Sequence, residues 1–128
     1  MPMDTTANEM LAAARAVVPT ITPAEATELV RTKDALIVDV RDGTEVKASG
    51  KVKGAVAISR GLLEFRADPA APTHHPEFRT DRPVILYCGS GGRAALAGKT
   101  LHDLGFTDVR NLGGFKDWVA AGGEVEPG

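Results

Sequence analysis

"VILYCGSGGRAALAGKTL", residues 84–101, decides the fold. A strand-forming run, Val84 to Tyr87, leads directly into the chain's one cysteine, Cys88. Gly89, Ser90, Gly91, Gly92 and Arg93 follow. Then Ala94, Ala97, Leu101 and Leu104 recur at helical spacing until Gly105 stops the helix. An apolar run without alternation reads as a strand covered on both faces, the habit of parallel sheets. The loop after it is built for an anion. Consecutive N–H groups of a glycine-rich turn can converge, and the helix adds its unpaired N–H groups and the positive end of its dipole. The glycines permit the backbone angles, and Arg93 adds a fixed charge. The favoured anion is the Cys88 thiolate, or the terminal sulfur of a persulfide once the thiolate has taken up sulfur. The plainer reading is a small buried apolar residue at a strand end. The spacing of cysteine, four residues and arginine, with three glycines, speaks against it.

Working outward, "ALIVDV" (35–40) is a second continuous apolar run, holding the carboxylate of Asp39 near its end. The segment after it predicts a turn, one helical turn over Thr44–Ser49 and a short strand over Val56–Ile58. "GLLEFRA" reads as a short helix, and "DPAAPTHHPEFRTDRP", with four prolines, as a long surface loop. "DVRNL" (108–112) is a third short strand. "GGFKDWVAAGG" is a last helix with Phe115, Trp118 and Val119 inward. Strands alternating with helices define an α/β fold with a central, mostly parallel sheet flanked by helices. Such sheets bind ligands at the carboxyl ends of their strands, where Cys88 and Asp39 both fall.

At the other end, residues 1–6 read as a disordered tail. Met10, Leu11, Ala14, Val17 and Val18 then predict an amphipathic helix over Ala7–Val18, closed by Pro19. Thr22, Pro23 and Glu25 form a capping box opening a helix that reaches about Lys33. The expected organisation is a tail and extra N-terminal helix over 1–19 and one domain over 20–128. The 128 residues suit a single core. Lys and Arg total 15, Asp and Glu 17, so the net charge is −2 and offers no general attraction to nucleic acid or an anionic membrane. One cysteine excludes an internal disulfide and a Cys-rich zinc site, and fits a reducing compartment. With acidic rather than basic residues ahead of the first apolar run and no membrane-length segment, the expected location is the cytoplasm.

Four segments together resemble a single rhodanese domain over about residues 20–126: "IVDVRDGTE" (37–45), "GKVKGAVAISR" (50–60), "LYCGSGGRAALA" (86–97) and "GFTDVRNLGGFKDWVAAGGEV" (105–125). The resemblance implies the rhodanese-like fold and a sulfurtransferase. Its cysteine takes a sulfane sulfur from thiosulfate or 3-mercaptopyruvate, and passes it from a persulfide to cyanide or a thiol. It makes Cys88 the nucleophile and Gly89, Ser90, Gly91, Gly92 and Arg93 the loop that holds the persulfide. Glu45 stands in its usual place. No metal or organic cofactor is implied, and ping-pong kinetics are expected. Lys51 and Lys53 replace a histidine and a proline common in the family. The expected partners are a small sulfur donor and a thiol or cyanide acceptor, or a protein acceptor.

Three further residues carry two readings each. Asp39 is a loop carboxylate satisfied by nearby N–H groups, or a brace for the active loop or Arg93. Arg60 receives an anionic donor at the pocket rim, or is a solvated arginine. Arg41 has the same two readings, the surface one weighing more. Phe65 and Arg66 are further candidates for the pocket wall. His74 and His75 point apart on an extended chain and lack a third ligand, which argues against metal. Two other functions compete with small-molecule sulfur transfer. One is a persulfide carrier or protein-interaction module. The other is a cysteine phosphatase or arsenate reductase, whose loops place five residues between cysteine and arginine where this chain has four.

Overall fold

The computed structural model describes residues 5–128, so most of the expected tail lies outside the described residues. Thr6 is already structural: its hydroxyl accepts from the Glu9 N–H in a capping box that opens α1 (Ala7–Val17). The same device at Thr22 and Glu25 opens α2 (Pro23–Lys33), with Pro23 at the first position. There follow β1 (Leu36–Asp39), α3 (Gly43–Ser49), β2 (Lys51–Val52), β3 (Val56–Ala57), a 3-10 turn at Arg60–Leu62 and α4 (Leu63–Ala67). Then come β4 (Val84–Cys88), α5 (Gly92–Asp103), β5 (Val109–Gly114), α6 (Phe115–Ala120) and β6 (Val125–Glu126).

Four strands form a parallel sheet in the order β3-β1-β4-β5. The two apolar runs, β1 and β4, are its central strands and are buried throughout. Their alternate side chains feed two cores. Leu36, Val38, Val84, Leu86 and Cys88 face one side with Ala94, Ala97 and Leu101 of α5. Ile37, Ile85 and Tyr87 face the other with Ala26 of α2 and Phe115 and Trp118 of α6. This two-sided burial explains why neither strand alternates in sequence. The expected α/β fold, a central parallel sheet flanked by helices, is therefore present, with a helix ahead of it. No helix among the described residues is long and apolar enough to cross a membrane.

Several expectations need correction. On α1, Met10 and Val17 are exposed, and Ala14 and Val18 make the buried contact. Close approach decides this: a Cβ on Gly98 of α5 would stand 2.8 Å from a Val18 methyl, so small residues mark the contact rather than large ones. Leu104 and Val119 lie largely outside the core, and Phe65 is 60% exposed. The Pro-rich loop is not wholly on the surface. Phe78 is buried and packs edge-to-face on Phe106, anchoring the loop past the far end of α5. The antiparallel pair β2–β6 was not expected; two-residue strands carry no periodic signal.

Candidate active site

Register brings the carboxyl ends of β1, β4 and β5 together: Asp39 pairs with Tyr87, and Cys88 with Gly114. Cys88 ends β4 with its side chain buried in the core, so the loop after it encloses the sulfur. Gly91 adopts φ +104°, a left-handed angle that turns the chain back into α5. Its N–H donates to Cys88 Sγ at 3.0 Å. Among the described residues, the backbone N–H groups of Ser90, Gly92 and Arg93 have no protein acceptor and are free to donate. Glycine at 114 is required from below: a Cβ there would lie 2.5 Å from the Gly89 carbonyl oxygen.

Arg93 does not hang free. Its guanidinium grips Glu45 of α3 through two parallel bonds, Nη1 to Oε2 at 2.8 Å and Nη2 to Oε1 at 3.0 Å. The Asp42 N–H also donates to Glu45 Oε2 at 3.0 Å. Arg93 first, then the Asp42 N–H, hold the Glu45 carboxyl at about 2, well below the ordinary 4.5. The same pairing raises the Arg93 pKa. Bracing Arg93 was one of the two readings offered for Asp39, and Glu45 makes that contact instead.

Asp39 is buried and its partner is Arg41. The Arg41 Nε donates to Oδ1 at 3.1 Å, Nη2 to Oδ2 at 2.8 Å, and the Arg41 backbone N–H to Oδ1 at 3.0 Å. Arg41 is not a surface residue. It is 5% exposed, donates onward to Ser49 Oγ and the Gly50 carbonyl, and lies over the Phe115 ring at 4.4 Å. Its pKa is raised by the Asp39 hydrogen bonds. Nearby, the Tyr87 hydroxyl accepts from the Val52 N–H, and burial raises its pKa. This network ties β1 to the end of α3, and so sets the helix that carries Glu45.

Arg60 is not joined to the cysteine loop. It donates to Glu64 and to Thr100 of α5, and lines a groove with Met10, Ala13 and Lys99 that no loop residue enters. Arg66 donates to the Thr73 carbonyl instead. His74 Nε2 contacts the Phe78 carbonyl, and the described residues contain no cluster of three metal-binding side chains. On the other flank, a cleft of about 370 Å³ runs beside Ser90 and Gly91 and is lined by Arg15 of α1 and Asp117. Sequence reasoning missed Asn111. It is buried, its Nδ2 donates to the Gly91 carbonyl at 3.1 Å, and its Oδ1 accepts from the Gly113 N–H at 2.8 Å. The available signal was an amide two residues after Val109, on the same inward register of β5.

The site is thus a lone thiol at the carboxyl end of a central parallel strand of an α/β domain, with the Gly91 N–H donating to its sulfur just ahead of a helix. The family described as "Rhodanese-like domain" matches residues 22–121, and the chain belongs to it. It is 37% identical over 95 residues to an uncharacterized Bacillus subtilis protein, YqhL, covering 73% of this chain and 66% of that one. It is 34% identical to a Pseudoalteromonas translucida protein named thiosulfate sulfurtransferase GlpE, covering 79% and 89%. Among solved structures, a Rhodopseudomonas palustris protein of unknown function, described as a possible tyrosine phosphatase, superposes with TM-score 0.88 and 38% identity over 98% of both chains. A Wolinella succinogenes polysulfide-sulfur transferase homodimer superposes with TM-score 0.71 and 33% identity, covering 92% and 85%.

Proposed function

We propose that this protein is a rhodanese-type sulfurtransferase that carries a sulfane sulfur on Cys88. The observation that carries the reading is the Gly91 N–H bonded to Cys88 Sγ inside a loop with further free N–H groups. With thiosulfate as donor, the Cys88 thiolate attacks the outer sulfur. A new S–S bond forms, the old one breaks, and sulfite leaves with the electron pair. The terminal sulfur of Cys88-S-S⁻ then carries the charge, and charge-assisted bonds from the loop stabilise it. Cyanide or a thiolate next attacks that sulfur and departs as thiocyanate or a new persulfide, restoring the Cys88 thiolate. 3-Mercaptopyruvate is the other donor of suitable chemistry. The family domain beginning near residue 20 supplies this chemistry, with 1–19 as an extension, and an unpaired reactive thiol suits the cytoplasm.

The neighbour described as a possible tyrosine phosphatase raises a second reading, hydrolysis of a phosphate ester through Cys88. Arg93 argues against it. Both terminal nitrogens of its guanidinium bond Glu45, which occupies the end-on fork and offsets the charge a phosphate would need. Intact mass spectrometry after thiosulfate or mercaptopyruvate decides between the two. The expected result is a gain of one sulfur mass, reversed by cyanide or a thiol, and absent in Cys88→Ser. Efficient aryl phosphate hydrolysis without sulfur uptake would instead establish the phosphatase.

A further inference from the structure

We propose that Asn111 is a positioning residue for sulfur transfer: its amide clamps the Gly91–Gly92 peptide so that the free Gly92 N–H is held for the sulfur on Cys88. The inference rests on the reading of Cys88 as the sulfur carrier. Register shows how Asn111 reaches the loop. Leu86 pairs with Asn111 and Tyr87 with Gly113, so Leu112 is an extra residue and β5 bulges there. Bulges beside sites re-aim side chains. The bulge continues into Gly113 at φ +91°, whose N–H donates back to Asn111 Oδ1. That contact fixes the amide's orientation, because an N–H must face the oxygen. The Nδ2 end is thereby committed to the Gly91 carbonyl.

The Gly91 carbonyl also accepts from the Ala95 N–H at 2.9 Å, so two donors pin it on the helix side. No described peptide bond is cis. In a trans peptide the carbonyl and the following N–H point in opposite directions. Pinning the Gly91 oxygen therefore fixes the direction of the Gly92 N–H, away from the helix body, in the loop whose Gly91 N–H already bonds the thiol. Glycine on both sides of this peptide leaves it free to rotate without such a clamp. Donors fixed before reaction stabilise charge without reorganising. Asn111 never has to touch sulfur for this; it acts through the peptide it holds.

The test measures loading equilibrium rather than turnover alone. Wild type, Asn111→Ala and Asn111→Asp are equilibrated with fixed thiosulfate and sulfite, and the ratio of Cys88 persulfide to free thiol is read by intact mass. The ratio should fall about tenfold in Asn111→Ala, the loss expected for one weakened charge-assisted bond. It should fall further in Asn111→Asp, which keeps the Gly113 contact but turns an anion toward the Gly91 carbonyl. Thermal unfolding is recorded in parallel with Phe78→Leu, a core change past the opposite end of α5, which should lower stability and leave the ratio unchanged. Equal ratios in wild type and both Asn111 variants would overturn the proposal, as would an equal fall in Phe78→Leu. Wild type provides a second measurement if neither Asn111 variant folds: loading should move the Gly92 amide proton resonance, and an unmoved resonance overturns the proposal. If wild type takes up no sulfur, the sulfurtransferase reading fails and this inference with it.

Discussion

Two arginine–carboxylate pairs stand at the same edge of the sheet. Asp39–Arg41 has side chains 0% and 5% exposed, while Glu45–Arg93 has 39% and 40%. Both are multiply bonded, and both bring an arginine toward the carboxyl ends of the strands. Burial separates their roles. The inner pair is enclosed by Phe115, Ser49 and Gly50, and solvent cannot replace either partner. The outer pair is wet, spans from α3 to the first turn of α5, and lies beside the thiol loop. The inner pair is thus part of the frame, and the outer one borders the loop mounted on it.

The largest expected effect breaks the inner pair. Arg41→Ala leaves a buried carboxylate without its cation, which costs about 3–5 kcal/mol. For a domain of this size that lowers the melting temperature by very roughly 10–20 °C. Asp39→Leu combined with Arg41→Met should recover much of the loss, because an apolar pair carries no stranded charge. Thermal and urea unfolding of the single and double variants check this. A single variant as stable as wild type would show that the pair does not hold the frame.

The outer pair should respond the other way. Arg93→Ala should change stability by no more than about 1 kcal/mol, since solvent screens so exposed a pair. Sulfur uptake should fall roughly tenfold or more, because a fixed positive charge beside the loop is lost. Unfolding curves and single-turnover loading of the same preparation separate the two effects. A large stability loss with normal loading would reverse the roles assigned to the pairs.

That contrast also marks what was legible in sequence. Continuous apolar runs announced β1 and β4, and glycine spacing announced the loop between Cys88 and Arg93, because both are local patterns. Arg41 was misjudged because an arginine reads as surface unless its partners are known. Three of those partners, Ser49, Gly50 and Phe115, lie outside its own strand end. Glu45 sat in a recognised segment, but its bond to a residue 48 positions away is a tertiary fact. Asn111 was hidden by the bulge at Leu112, which no two-residue alternation signals. Helix α1 misled differently, since its contact is made by Ala14 and Val18 against Gly98 rather than by its larger side chains.

A smaller effect sharpens the distinction from phosphatases. Glu45→Gln keeps the side-chain shape but removes the charge that occupies Arg93. The freed guanidinium should then accept an oxyanion, so phosphate should inhibit sulfur transfer at a concentration roughly fivefold to tenfold lower than in wild type. Inhibition constants for both proteins test it. Unchanged phosphate inhibition would mean that Glu45 is not what keeps Arg93 from oxyanions.

The smallest expected effect is the acid dependence of the outer pair. The Glu45 carboxyl is lowered from 4.5 to about 2 in the folded protein. A depressed folded value means the unfolded chain binds the proton more readily, so this group's stabilisation is complete above about 4.5 and fades as pH falls toward 2. With the pair 39% and 40% exposed, that contribution is at most about 1 kcal/mol after solvent screening. Glu45→Gln removes the titrating group while leaving the inner pair intact. The stability difference between wild type and Glu45→Gln should therefore be constant from neutral pH to about 5 and shrink below that, by the linkage relation. Urea unfolding at closely spaced acid pH values measures this difference directly. A difference that stayed flat through this range would show that Glu45 has the same proton affinity folded and unfolded, and that the bonds to Arg93 contribute nothing to stability.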